Sequence, residues 1–170
     1  NHMRWYAGPT LAEALDQLQP PVTSQDLPLR FPVQDIYKFD ERRIIAGRIE
    51  SGYLRKGDTL LFSPSNKQAR IASIEEWNAR QPVMAVRAGE SIGVTLDEPI
   101  FVERGEIASL ESRPPMLTNV FRGRIFWLGR RPLAPGDRYK MKLCTGEHLV
   151  EVEKIEKVID VNDLGISEPD

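Results

Sequence analysis

The sequence predicts an all-β protein, an antiparallel sandwich or barrel of short strands with one short helix ahead of it. Three observations carry that prediction. Apolar residues alternate with polar ones along most of the chain, which puts one face of each segment in a core and the other in water. A glycine followed by an acid recurs between these runs. A helical period occurs once, near the start.

Taken in order, Asn1-His2-Met3 (residues 1–3) reads as a tag remnant before an internal start, without the apolar stretch of a signal peptide. Leu11, Ala14, Leu15 and Leu18 then recur at helical spacing behind Pro9-Thr10, which predicts a short helix capped by Thr10. Gln19-Pro20-Pro21 ends it, because proline lacks the donor a helix interior needs, and an extended linker runs on to Pro28. From Leu29 the period becomes two: Leu29, Phe31 and Val33, then Ile45, Gly47 and Ile49, later Ile92, Val94 and Leu96. The turns between such runs are expected at Lys56-Gly57-Asp58, Ala88-Gly89-Glu90, Arg104-Gly105-Glu106, Pro135-Gly136-Asp137 and Thr145-Gly146-Glu147, where glycine supplies a positive φ. Between Gln68 and Trp77 the apolar phase slips from Ala69 and Ile71 to Ile74, as an extra residue in a β-bulge would make it, and a bulge helps a sheet curl into a barrel.

Glu111-Ser112-Arg113-Pro114-Pro115 breaks the pattern, and two prolines in series suit a connection between domains. Residues 4–28 are therefore read as helix plus linker, 29–111 as one β domain and 112–170 as another. In the last, Phe121, Gly123, Ile125 and Trp127 predict a strand, Tyr139, Met141 and Leu143 a second, and Leu149 to Ile155 a third. A unit of about 55 residues is near the lower limit for folding alone without metal or disulfide. It is expected to be incomplete, with open strand edges covered by another chain or paired with a second copy.

The 170 residues carry 23 basic and 25 acidic side chains, a formal charge of −2, and 41% are apolar. That suffices for a real core and excludes a disordered chain. No apolar run approaches the length of about 18 residues that spans a membrane. Balanced charge argues against a dedicated nucleic-acid binder, which needs a surplus of Lys and Arg. One cysteine, Cys144, cannot make an internal disulfide, and His2 and His148 offer no zinc-ligand spacing, so the composition fits a reducing cytoplasm. There is no Gly-x-x-x-x-Gly-Lys-Ser/Thr loop, no Gly-x-Ser-x-Gly elbow and no His-Glu-x-x-His helix. His148 is expected as a surface residue in the turn after Gly146, and Cys144 as a small buried hydrophobe. The pairs Glu75-Glu76 and Asp97-Glu98 are expected as solvated acids at strand ends. No catalytic residue, metal site or cofactor site is expected.

The most uneven charge lies between Val120 and Lys142. Arg122, Arg124, Arg130, Arg131, Arg138, Lys140 and Lys142 face Asp137 alone, a local charge of +6. Arg122 and Arg124 alternate with Phe121, Gly123 and Ile125, and Arg138, Lys140 and Lys142 with Tyr139, Met141 and Leu143, which places each set on one strand face. Such a face could meet an acidic partner or phosphate, or could simply be solvated and discourage edge pairing.

Trp5 to Asp16 resembles the last helix of the GTPase domain of Tu-class elongation factors and of the GTP-hydrolysing subunit of sulfate adenylyltransferases. Leu29-Arg30-Phe31-Pro32-Val33-Gln34-Asp35 resembles the opening strand of their second domain. Ala46 to Gly52, Lys56-Gly57-Asp58 and Ala88-Gly89-Glu90 come next in family order. Thr118 to Leu128, then Arg131-Pro132-Leu133-Ala134-Pro135-Gly136-Asp137-Arg138-Tyr139, and Ile159-Asp160-Val161-Asn162, resemble the sulfate-activating branch more than translation factors. The resemblance implies a six- or seven-stranded antiparallel Greek-key barrel like the second domain of elongation factor Tu, followed by part of a third-domain barrel. It implies a parent that couples GTP hydrolysis to forming adenylylsulfate and pyrophosphate from ATP and sulfate, with an adenylylsulfate kinase fused in some versions. GTP and Mg belong, by resemblance, to a GTPase domain outside this chain. The partners implied are that domain and the adenylyl-transferring subunit. Glu50 occupies the position whose glutamate, by resemblance, meets the terminal adenosine of aminoacyl-tRNA in Tu-class factors. In a sulfate-activating protein it would instead belong to the barrel rim. The alternative is an aminoacyl-tRNA- or RNA-binding module of an elongation factor.

Overall fold

The computed structural model describes residues 8–18, 24–39, 42–160 and 165–167. Helix α1 (Leu11–Asp16) starts where expected: the Thr10 hydroxyl accepts the Glu13 N–H, while the Glu13 carboxylate accepts the Thr10 N–H at 2.7 Å. Leu11, Leu15 and Leu18 are all exposed, so its apolar stripe has no cover among the described residues. A 3₁₀ turn (Ser24–Asp26) falls in the region read as extended linker, and residues 1–7 and 19–23 lie outside the description.

Six strands close the predicted barrel, in the order β1 (Phe31–Phe39), β2 (Arg42–Arg48), β7 (Ser91–Leu96), β5 (Lys67–Glu75), β4 (Thr59–Ser63), β8 (Ile107–Leu110) and back to β1. Every pairing is antiparallel. A two-stranded ribbon of β3 (Tyr53–Arg55) and β6 (Ala85–Arg87) lies beside it. The alternation is realised: Leu29, Phe31, Val33, Ile45, Ile49, Ile92 and Val94 all point into one core with Phe62, Leu60 and Leu54. Burying a Phe or Leu of this kind stabilises by about 1.5–3 kcal/mol. The bulge predicted in β5 sits between Ile71 and Ser73 opposite β7, and a second interrupts β1 between Val33 and Asp35.

The glycine–acid repeat is explained by one local device. In Asp58, Glu90 and Glu106 the carboxylate accepts the N–H of the residue three before it, at 2.8, 2.8 and 3.1 Å, while the backbone closes the same turn. Gly57, Gly89, Gly105 and Gly136 hold the positive φ these turns need. Asp137 differs, taking its bond from the Tyr139 hydroxyl.

Beyond residue 111 the structure departs from expectation. Residues 121–127 make no strand, and their backbone N–H groups donate to no backbone carbonyl among the described residues. β9 (Arg138–Leu143) forms as expected, and β10 (Gly146–Glu151) starts and stops earlier than the Leu149–Ile155 segment. Gly146 is therefore a strand residue, and Cys144 takes the positive φ of the turn, at 51°. There it is exposed rather than buried, and His148 is exposed on β10 rather than in a turn. A short pair, β11 (Val158–Ile159) with β12 (Ile166–Ser167), completes the described strands. Residues 161–164, which hold the end of the Ile159–Asn162 motif, lie outside the description. Every buried apolar side chain among the described residues falls between Leu29 and Ala108. The second unit thus has partial sheet and no core of its own among the described residues.

Candidate functional site

Two surfaces stand out. The first is the barrel end that carries Glu50. Chain reversal after β2 brings Glu50 against the start of β1, where its N–H donates to the Arg30 carbonyl at 2.9 Å and Arg30 bridges Ser51. The backbone is anchored and the carboxylate is left exposed, without a hydrogen bond or ion pair to another described residue. Nearby, the β3–β6 ribbon, the 3₁₀ turn and Arg113 line an open groove of about 770 Å³. Its walls carry Tyr53 with Arg55 over its ring at 4.9 Å, Arg87 beside Glu90 at 3.6 Å, and Asp26. Arg30 donates to the carbonyls of Arg113 and Pro114, fixing the groove's far wall to the barrel. Sequence reasoning missed this groove because three-residue strands such as Tyr53–Arg55 are too short to show a period.

The second surface is the basic segment. β9 does place Arg138, Lys140 and Lys142 on one exposed face. Register then sets acids of β10 beside them: Arg138 meets Glu151 at 3.0 Å, and Lys140 and Lys142 clasp Glu147 at 3.0 and 3.3 Å. Hydrogen bonds from Lys140, then Lys142, and the Lys142 charge hold the Glu147 carboxyl below its ordinary range. Three cations against two acids leave this face nearly neutral. Arg122 reaches Glu156 at 3.0 Å from a segment that is not a strand, so the strand face expected for Arg122 and Arg124 does not form. From that segment Trp127 packs toward β9, edge-on to Tyr139 at 5.1 Å.

The hairpin is tied to the barrel at its tip. The Val33 carbonyl, freed at the β1 bulge, accepts both the Gly105 N–H at 3.1 Å and the Thr145 hydroxyl at 2.6 Å. Among the described residues no three His, Cys, Asp or Glu side chains gather. No helix among the described residues is long and apolar enough to cross a membrane.

No family model matches the chain. It is 31% identical over 167 residues to sulfate adenylyltransferase subunit 1 of Shewanella oneidensis, covering 98% of this chain and 34% of that protein. It is 39% identical to elongation factor 1-alpha of Aeropyrum pernix over 74% of this chain and 29% of that one. The chain thus spans about a third of the length of these relatives. Among solved structures, Sup35 complexed with GDP superposes with a TM-score of 0.69 at 22% identity over 97% of this chain and 40% of that one, a likeness of fold. A closed barrel of this strand order, matched in sequence through nearly the whole chain, makes this protein a member of the translation-factor-like GTPase superfamily.

Proposed function

We propose that this chain is a non-catalytic β-barrel module of the GTP-hydrolysing subunit of a sulfate adenylyltransferase. In this reading it relays nucleotide state from a GTPase domain and contacts the adenylyl-transferring subunit during sulfate activation in the cytoplasm. The observation that carries the reading is the alignment with subunit 1, which runs through 98% of the chain and so includes the segment beyond the barrel. The physical basis is differential docking: a barrel that touches its neighbour in one nucleotide state and not in the other converts hydrolysis into movement. A stiff, self-contained core tied to the next unit by a few polar bonds suits that task, since the bonds can exchange while the core stays intact. The groove between Tyr53, Arg87 and Arg113 and the exposed Glu50 are the surfaces available for contact.

The 39% identity to elongation factor 1-alpha over 128 residues favours a second reading, an aminoacyl-tRNA-binding module. Parallel titrations separate the two. Saturable binding to the adenylyl-transferring subunit supports the first. Salt-sensitive binding to aminoacyl-tRNA that weakens with Glu50→Ala, and no binding to that subunit, replaces it with the second.

A further inference from the structure

At the end of β1 and β2 away from Glu50, the barrel mouth holds a cavity of about 290 Å³. Its floor is apolar: Ile36 of β1, Ile45 of β2, Leu96 of β7, and Ile100 and Val102 of the loop after β7. Its rim is charged, with Arg42 and Arg43 of β2 on one wall and Asp97 and Glu98 of the loop on another. Several bonds fix that loop. The Arg70 N–H donates to the Asp97 carboxylate at 3.0 Å, and the Arg70 carbonyl accepts the Asp97 N–H at 2.9 Å. Lys67 donates to the Phe101 carbonyl, and the Arg43 guanidinium lies over the Phe101 ring at 5.2 Å. A cavity walled by closed barrel strands and a pinned loop is preformed, which spares a ligand the cost of ordering it.

The charges of the rim do not satisfy one another. Arg42, Arg43 and Glu98 line the same cavity, yet among the described residues none of the three forms an ion pair. Asp97 already accepts the Arg70 N–H, which leaves Glu98 as the acid without a partner there. Arg43 also stands directly opposite Lys38 in the β1–β2 ladder, on the inward face that Ile45 begins. Like charges so placed destabilise a strand pair, and an anion bound beside them offsets this.

We propose that the cavity binds a free apolar α-amino acid, its carboxylate on Arg42 and Arg43, its ammonium on Glu98 and its side chain on the Ile36, Ile45 and Leu96 floor. A simple anion would answer the arginines and leave Glu98 facing it. A simple cation would do the reverse. A small zwitterion with an apolar body answers all three walls at once. Ligand pockets start at roughly 300 Å³, so the cavity suits one amino acid rather than a peptide. Because the rim charges are exposed to water, the ion pairs select the ligand and apolar contact supplies much of the affinity.

The test titrates the chain with L-leucine, with 4-methylpentanoate, which lacks the ammonium, and with L-leucine methyl ester, which lacks the carboxylate, following amide shifts by NMR. Saturable binding of L-leucine in the millimolar range or tighter is expected, with shifts centred on Ile36, Ile45, Leu96 and Ile100, and weaker binding of both analogues. Glu98→Gln is expected to weaken L-leucine about tenfold and leave 4-methylpentanoate unchanged, while Arg42→Gln weakens both. Both side chains are exposed and outside the barrel core, so each variant keeps its fold for the comparison. No saturable shift at these positions, an analogue that binds as tightly as L-leucine, or L-leucine binding indifferent to Glu98→Gln would overturn the proposal. None of these outcomes bears on binding to the adenylyl-transferring subunit, which the proposed function places at the Glu50 end.

Discussion

Glu147 sits where the charges of the hairpin converge, and it shows how a residue's setting becomes measurable. Its carboxyl is held below the ordinary range by Lys140 and Lys142. A group whose pKa falls on folding contributes stability that is complete above its unfolded value, about 4.3 for Glu, and is lost as pH falls through the folded value. An NMR titration of Glu147 is expected to give a midpoint below that of a free glutamate, rising toward it in Lys140→Met. An unchanged midpoint in that variant would show that the clasp is absent in solution. Gly47 makes a different demand. A β-carbon there would lie 2.3 Å from the Pro32 carbonyl oxygen and 2.8 Å from a Phe31 ring atom, so β1 and β2 approach as only glycine allows. Gly47→Ala is expected to cost about 1–3 kcal/mol, read as a lowered urea midpoint at constant slope.

At the scale of elements, the turns are the most regular feature, and their acids are caps rather than reagents. Removing the Glu90 carboxylate in Glu90→Ala leaves the Arg87 N–H without its side-chain acceptor and is expected to cost about 0.5–1.5 kcal/mol. A cost near zero by thermal melting would mean that water replaces the carboxylate fully. The same turns were legible in the sequence because glycine and acid sit side by side in each. Barrel strands were legible through the alternation of Phe31 with Val33 and of Ile92 with Val94, and the β5 bulge through its slipped phase. The β1 bulge carries the same signal in the step from Val33 to Ile36. The β3–β6 ribbon was not legible, since Leu54 and Val86 are single buried residues in three-residue strands. The segment around Ile125 fails in the opposite sense: its alternation is that of a strand, but a strand exists only where another edge accepts its bonds. Nor could the basic face be weighed from sequence, because its neutralising acids arrive only with the register of β10. Glu50 is read from the sequence as a barrel-rim residue, whereas the exposure of its carboxylate and its groove neighbours come only from the structure.

Across the whole molecule, stability is concentrated between Leu29 and Ala108, and the unit beyond the barrel hangs on side-chain bonds such as Thr145 to Val33. Cutting the chain after Arg113 is expected to leave one cooperative unfolding transition, with the barrel's melting temperature lowered by a few degrees at most; loss of that transition would show that the second unit completes the core. The same division of labour underlies the proposed function, in which a rigid barrel is carried between contacts. The most direct test is hydrogen exchange of the chain with and without the adenylyl-transferring subunit of a sulfate adenylyltransferase. Slowed exchange at the barrel end around Glu50, the β3–β6 ribbon and Arg113 is the expected result. Exchange unchanged at saturating subunit, with the same amides protected by aminoacyl-tRNA instead, would contradict it.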